Sequence, residues 1–127
     1  MATIALKRVY EAPVPSDGAR ILVDRLWPRC IAKDKARIDL WLRDLAPSNT
    51  LRKRFHAKPD LWDAFRTAYA EELREPEAHA AIQQLLERLS KGPVTLLYAA
   101  RDEDHNNAVA LQEWLASHAK TAAPRSR

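Results

Sequence analysis

Two short apolar runs constrain this chain more than any other feature: Ile21-Leu22-Val23 and Val94-Thr95-Leu96-Leu97-Tyr98-Ala99. Each is short, and neither shows regular polar alternation, so each suits a strand covered on both faces, as in a parallel sheet. Residues 3–10 alternate apolar and polar, with Ile4, Leu6 and Val9 available for burial, and read as a strand ahead of them. Between the two apolar runs the period changes to about 3.6. Ile38, Trp41, Leu42 and Leu45 fall at the spacing of an amphipathic helix that ends before Pro47. Ser48 is a good N-cap for a helix through Leu51 and Phe55 closed by Pro59, and Asp60 for one carrying Trp62, Phe65 and Tyr69. Pro76 suits a first helical turn, and Ala78, Ile82, Leu85, Leu86 and Leu89 form a stripe that Gly92 ends. Asp102 is placed to cap a final helix through Ala108, Leu111, Trp114 and Leu115.

These patterns predict a single α/β domain over residues 1–118, with a small three-stranded sheet, mainly parallel or mixed, flanked by about five helices. Residues 119–127 have no apolar period and are expected as a disordered tail. The long crossover between the second and third strands implies a parallel pair. The turn-rich connection before the second strand, with Pro13, Pro15 and Ser16-Asp17-Gly18, is too short for a helical crossover and leaves the first strand's direction open.

The single cysteine, Cys30, excludes an internal disulfide and fits a reducing compartment. No run approaches the roughly 18 apolar residues of a membrane span, and no basic leader precedes an apolar run, so a cytoplasmic protein is expected. The net charge of +4 is uneven: residues 1–58 hold 13 Lys/Arg against 6 Asp/Glu, and residues 59–127 hold 8 against 11. A basic half invites an anionic partner, although most such charges are simply solvated.

The excess is informative where it meets a strand end, because ligands of open α/β sheets usually sit beyond the carboxyl ends of parallel strands. The second strand exits into Asp24-Arg25-Leu26-Trp27-Pro28-Arg29, and the third into Ala100-Arg101-Asp102-Glu103-Asp104-His105-Asn106-Asn107. Parallel strands would bring Arg25, Arg29 and Arg101 to one edge, with Tyr98 and Asn106 beside them as further ligand contacts. Arginine offers a fixed fork of donors suited to carboxylate or phosphate. Trp27 supplies a flat face. His105, with Asp24 or Asp102, could handle protons. Each position also has a plainer structural explanation. Asp24 and Arg25 could pair with each other, Trp27 could be core, Asp102 could be a helix cap, and His105 could hydrogen-bond a strand end. Three guanidinium groups on one edge repel one another, however, and need acids or an anion.

Several blocks at these positions resemble a known family. Asp24-Arg25-Leu26-Trp27-Pro28-Arg29 with Lys33, Leu96-Leu97-Tyr98-Ala99-Ala100-Arg101-Asp102 with His105-Asn106 and Ala108, Trp41-Leu42, Ala46-Pro47-Ser48 with Leu51-Arg52, and Lys7-Arg8-Val9-Tyr10 are similar to the YeaO-like branch of an uncharacterised domain-of-unknown-function family, DUF488. The resemblance spans about residues 4–118 and implies a small α/β fold and bacterial-type cytosolic proteins, with no agreed activity or cofactor. The family usually has glycine where this chain has Cys30, which implies a positive φ or a close backbone approach there. It commonly has lysine where Arg101 stands, which keeps the charge and changes its geometry.

Other chemistries have little support. Cys30 beside Arg29 could be an activated thiol, but the family manages without it. His56, His79, His105 and His118 are scattered without metal-ligand spacing. With Gly18 and Gly92 the only glycines, there is no Gly-rich phosphate loop. No cofactor is expected. The expected function is binding of a small phosphate- or carboxylate-bearing molecule at the strand edge, with any reaction unspecified. The alternative is a weak nucleic-acid or anionic-partner module using Arg52, Lys53 and Arg54. A dimer interface built on exposed tryptophans is a third possibility.

Overall fold

The computed structural model describes residues 4–58 and 60–122, the side chains of residues 56, 57 and 118–122 excepted. Four strands form the sheet: β1 (Ile4–Arg8), β2 (Ala19–Leu22), β3 (Leu40–Trp41) and β4 (Val94–Tyr98), in spatial order β1-β4-β2-β3 and all parallel. Five α-helices accompany them: α1 (Lys33–Ala36), α2 (Asn49–Ala57), α3 (Trp62–Glu72), α4 (Pro76–Lys91) and α5 (Asn107–Ala122). β4 is buried along its whole length, as its unbroken apolar run demands.

The two faces of the sheet are covered differently. On one face Ile21, Val23, Val94, Leu96 and Tyr98 meet Phe65 and Tyr69 of α3, Ile82 and Leu85 of α4, and Leu111 and Leu115 of α5. On the other, Val9, Leu22 and Leu97 meet Ala36 of α1, with Trp27, Ile31, Ile38 and Trp41 packed around them. The four longer helices belong to the first face, and the loops after β1 and β2 cover the second.

This division explains the fourth strand. The expected helix over residues 38–45 is replaced by β3 and one 3-10 turn, Arg43–Leu45. Its apolar residues serve opposite faces: Ile38 and Trp41 pack in the second core, whereas Leu42 and Leu45 pack in the first. The backbone follows, because the amides of Asp39 and Leu42 donate to the carbonyls of Arg20 and Leu22 on β2, at 2.8 and 2.9 Å. Helical spacing was mimicked by a segment that crosses the sheet's edge.

Other boundaries differ by less. Ser48 caps α2 as expected, its hydroxyl accepting from the Leu51 amide at 3.1 Å. Leu61, not Asp60, occupies the N-cap of α3, with no side-chain cap bond. Leu86 on α4 is exposed rather than part of the buried stripe. Asn106, not Asp102, caps α5, its side-chain oxygen accepting from the Val109 amide at 2.9 Å. α5 continues to Ala122, and Thr3, Pro59 and the remainder of the expected tail, 123–127, lie outside the described residues. None of the described helices is long and apolar enough to cross a membrane.

β1 proves parallel to β4, its neighbour at the sheet's edge, which means that residues 9–18 return across the second face to the start of β2 without a long helix. A buried ionic cluster secures this return. Asp17 accepts from Lys7 Nζ on β1 at 3.1 Å and from Arg20 Nη1 on β2 at 2.7 Å. It also accepts from the Val14 amide at 3.1 Å, while its own carbonyl takes the Thr95 hydroxyl at 2.7 Å. Arg20 spends its remaining donors on the carbonyls of Ala36 and Arg37. Gly18 completes the turn at φ 66°, where a Cβ would lie 2.2 Å from the Pro93 carbonyl oxygen.

Burial alone would push the Asp17 carboxyl up, but the Val14 amide, Lys7 and Arg20 outweigh it and hold it below the ordinary aspartate range. Removing this carboxylate leaves two cations unpaired on the sheet. Asp17→Ala should therefore lower the unfolding free energy by about 3–5 kcal/mol, read from chemical denaturation; a loss below about 1 kcal/mol, the size of an exposed pair, would overturn this account.

Candidate functional site at the strand exits

Asp24, the first residue off the β2–Val23 run, joins the two strand exits. One carboxylate oxygen accepts from the Ala99 amide just past β4, at 3.0 Å. The other accepts from Asn107 Nδ2 in the first turn of α5, also at 3.0 Å, and the same nitrogen donates to the Val23 carbonyl. The Asp24 carbonyl takes the indole N–H of Trp41 at 2.7 Å. Burial pushes the Asp24 carboxyl up from its ordinary value, against the opposing pull of Asn107, the Ala99 amide and the charge of Arg52.

The rest of the segment is built into the fold. Asp24 and Arg25 do not pair with each other. Arg25 is half-buried and donates through Nε and Nη2 to the carbonyls of Pro47 and Ala46, each at 3.3 Å. Trp27 belongs to the second core. Its indole N–H donates to the Ile31 carbonyl at 2.9 Å, and its ring meets Trp41 edge-on with centroids 5.5 Å apart. Arg29 and Cys30 are exposed. Cys30 has φ 62°, the left-handed conformation that the family's usual glycine implied.

The β4–α5 loop is organised by its own acids. Asp102 accepts from the amides of Asp104 and His105 at 2.9 and 3.0 Å, and these bonds hold its carboxyl below the ordinary range. His105 Nδ1 lies 3.3 Å from the other Asp102 oxygen, and its ring meets the edge of Trp62 at 5.1 Å. Asn106 is 3% exposed, with its amide nitrogen on the Asp102 carbonyl. Tyr98 is 3% exposed as well; burial pushes its phenol up while contact with Asn106 opposes this. Tyr98 and Asn106, expected as ligand contacts, therefore support the loop from beneath. Arg101 is exposed. Arg8 ties the loop to β1, donating to the carbonyls of Ala99 and Ala100 at 2.9 Å each.

The basic trio on α2 is divided. Lys53 and Arg54 are exposed, whereas Arg52 is half-buried, with Nη2 on Asn49 at 3.3 Å and its charge acting on Asp24. Three participants were not visible in sequence: Asn107, which bridges both exits; Trp62, which meets His105; and Glu72. Glu72 accepts from the Ser48 amide and hydroxyl at 2.8 and 2.7 Å and so fixes the corner that Arg25 contacts. The Asn106-Asn107 pair opening a helix was the available signal for the first. Among the described residues no group of three or more His, Cys, Asp or Glu side chains is arranged to hold a metal. Two shallow depressions lie along α3; one, of about 410 Å³, is lined by Asp63, Arg66, Thr67, Ala70, Glu71 and Arg74.

Two outcomes follow. Because Asp24 is raised above the ordinary 3.8, the folded chain holds this proton more tightly than the unfolded one. Its contribution to stability is then greatest at low pH and declines as pH rises from 3.8 through the raised value. The difference in unfolding free energy between the unmodified protein and Asp24→Asn should fall across that window and then level off; a difference independent of pH would contradict the burial of a charge-disfavoured carboxyl. Cys30→Gly relieves a left-handed cost of roughly 1–2 kcal/mol and adds about 0.5–1 kcal/mol of unfolded-state entropy. A net gain of up to about 1 kcal/mol in denaturant unfolding is expected, and a loss would show that the thiol makes stabilising contacts.

Comparison with known proteins gives a consistent picture. Residues 3–126 match the family model described as the inactive DUF488-N3 subclade. The uncharacterized protein YeaO of Escherichia coli K12 is 43% identical over 114 residues, covering 90% of this chain and 97% of that protein. The uncharacterized proteins Mb3100c of Mycobacterium bovis and Rv3073c of Mycobacterium tuberculosis are each 40% identical over 112 residues, 88% of this chain and 92% of theirs. No solved structure matches significantly. The family model over residues 3–126 and the relatives similar over nearly their whole length place the chain in the DUF488 family, as a YeaO-like member.

Proposed function

We propose that this chain is a non-catalytic binding protein for a small anionic molecule, received at the carboxyl edge of the sheet by Arg29 and Arg101. One observation carries the reading: Asp24 and Asp102 at this edge are committed to the fold, while Arg29 and Arg101 are exposed and pair with neither the exposed Glu103 nor the exposed Asp104 of the β4–α5 loop. Asp24 is engaged by Ala99 and Asn107, and Asp102 by Asp104 and His105. Arg29 and Arg101 are exposed on the two exits and have no hydrogen-bond or ion-pair partner among the described residues. Guanidinium groups in that state suit a phosphate or carboxylate. Arg25 forms the adjoining wall.

The absence of a reaction from this proposal has two supports. Asp24 and Asp102 serve as structural acceptors, so neither is free to exchange protons with a substrate without releasing a strand exit or the loop. The matched family model also carries the word inactive in its description. His105 retains an exposed ring and would act as a hydrogen-bond donor to the ligand. The nucleic-acid alternative is weaker, because Arg52 is half-buried and only Lys53 and Arg54 of its trio are presented outward.

A thermal-shift series with inorganic phosphate, sulfate, citrate and a nucleoside monophosphate tests the proposal. A ligand present at a hundred times its dissociation constant adds about 2.7 kcal/mol, a rise of several degrees in Tm. The Arg29→Ala/Arg101→Ala protein should lose that rise while keeping nearly its original Tm, since both side chains are exposed. If no anion in the series raises the Tm of the unmodified protein, or the double variant responds equally, the proposal is wrong.

A further inference from the structure

We infer that Arg52 is an inner anion-binding residue of the strand-exit site, and that the group it takes is a phosphate monoester. The inference rests on the anion reading above and deepens it. Arg52 differs in one respect from Lys7, Arg8, Arg20 and Arg25, the sheltered cations on the strands and at the β2 exit. Lys7 and Arg20 share the Asp17 carboxylate, Arg25 holds two carbonyls, and Arg8 holds two more. The Nε of Arg52 is buried with no hydrogen-bond partner among the described residues, and Nη2 makes only a long bond of 3.3 Å to Asn49. No carboxylate lies within ion-pair distance of it among the described residues. A buried charged donor without an acceptor is costly, and such groups in native folds call for an explanation.

Its position supplies one. Arg52 and Phe55 lie on the same side of α2, three residues apart. Phe55 packs on Trp62 at 5.6 Å, and Trp62 on His105 at 5.1 Å, so this side of α2 faces the loop that carries Arg101. Arg52 also lies near enough to Asp24 for its charge to act on that carboxylate. The guanidinium thus lies near the Asp24 junction of the two strand exits without an ion pair of its own. Arg52, Arg29 and Arg101 together exceed the single charge of a monocarboxylate ligand. A phosphate monoester brings a charge of about −1.5 to −2 and three acceptor oxygens, which a guanidinium fork can grip through two bonds. Turning the fork onto such a group gives the idle Nε–H an acceptor.

Isothermal titration with inorganic phosphate, and with acetate as the monocarboxylate probe, separates the possibilities. Arg52→Gln should weaken phosphate binding tenfold or more and acetate binding less, with Arg52→Lys retaining part of the phosphate affinity. If Arg52→Gln binds phosphate as the unmodified protein does, while Arg29→Ala/Arg101→Ala loses it, the role of Arg52 falls and the anion site stands. If the unmodified protein binds neither probe, both fall. Should Arg52→Gln fail to fold, the Nε–Hε resonance of Arg52 in the unmodified protein decides: it should shift on phosphate titration, and a resonance unmoved at saturation overturns the inference.

Discussion

The carboxylate of Asp24 is the point on which the carboxyl edge of the sheet depends. A parallel sheet releases its strands at one end with their last backbone groups unsatisfied, and those ends must be joined by something other than a hairpin. Here one side chain from the β2 exit takes an amide past β4 and an amide side chain from α5. Three elements meet on one acid. The arrangement costs the acid its hydration, which is why burial raises its proton affinity despite two donors and the nearby charge of Arg52. A network this sheltered is sensitive to any change that leaves one member unpaired.

The opposite end of the sheet is secured by another acid with the reverse balance. Asp17 has two cations and an amide, enough to keep it ionised, and it fixes the short return from β1 to β2 across the second face. The helices gather on the other face, so this return is covered by loops, and an ionic cluster stands where a larger hydrophobic layer would otherwise be required. The small second core around Trp27 and Trp41 completes that face. Trp27 therefore contributes to the strand exit by fixing its backbone rather than by offering a surface for stacking.

Charge at the exits is sorted in a way that composition cannot express. Asp102 accepts from two amides of its own loop, and Asn106 from the Val109 amide of α5. The cations are distributed differently. Arg25 is absorbed into the corner that Glu72 holds in place, Arg29 and Arg101 stay exposed, and Arg52 is sheltered without an acid.

By itself the sequence determined the α/β class, the two central strands, the Ser48 cap of α2, and Pro76 and Gly92 at the two ends of α4. These follow from local rules: apolar runs without alternation, cap residues, prolines and glycines act within a few residues of themselves. Even the left-handed backbone at Cys30 was legible, because the family's glycine has a conformational meaning. Only the tertiary structure decided that residues 38–45 split between two faces and pair with β2 instead of forming a helix. It likewise decided that β1 runs parallel, that Asn106 and not Asp102 caps α5, and which arginines are consumed by carbonyls. Each of these depends on an acceptor or a core supplied by residues distant in the chain, and a local pattern carries no record of where those partners lie.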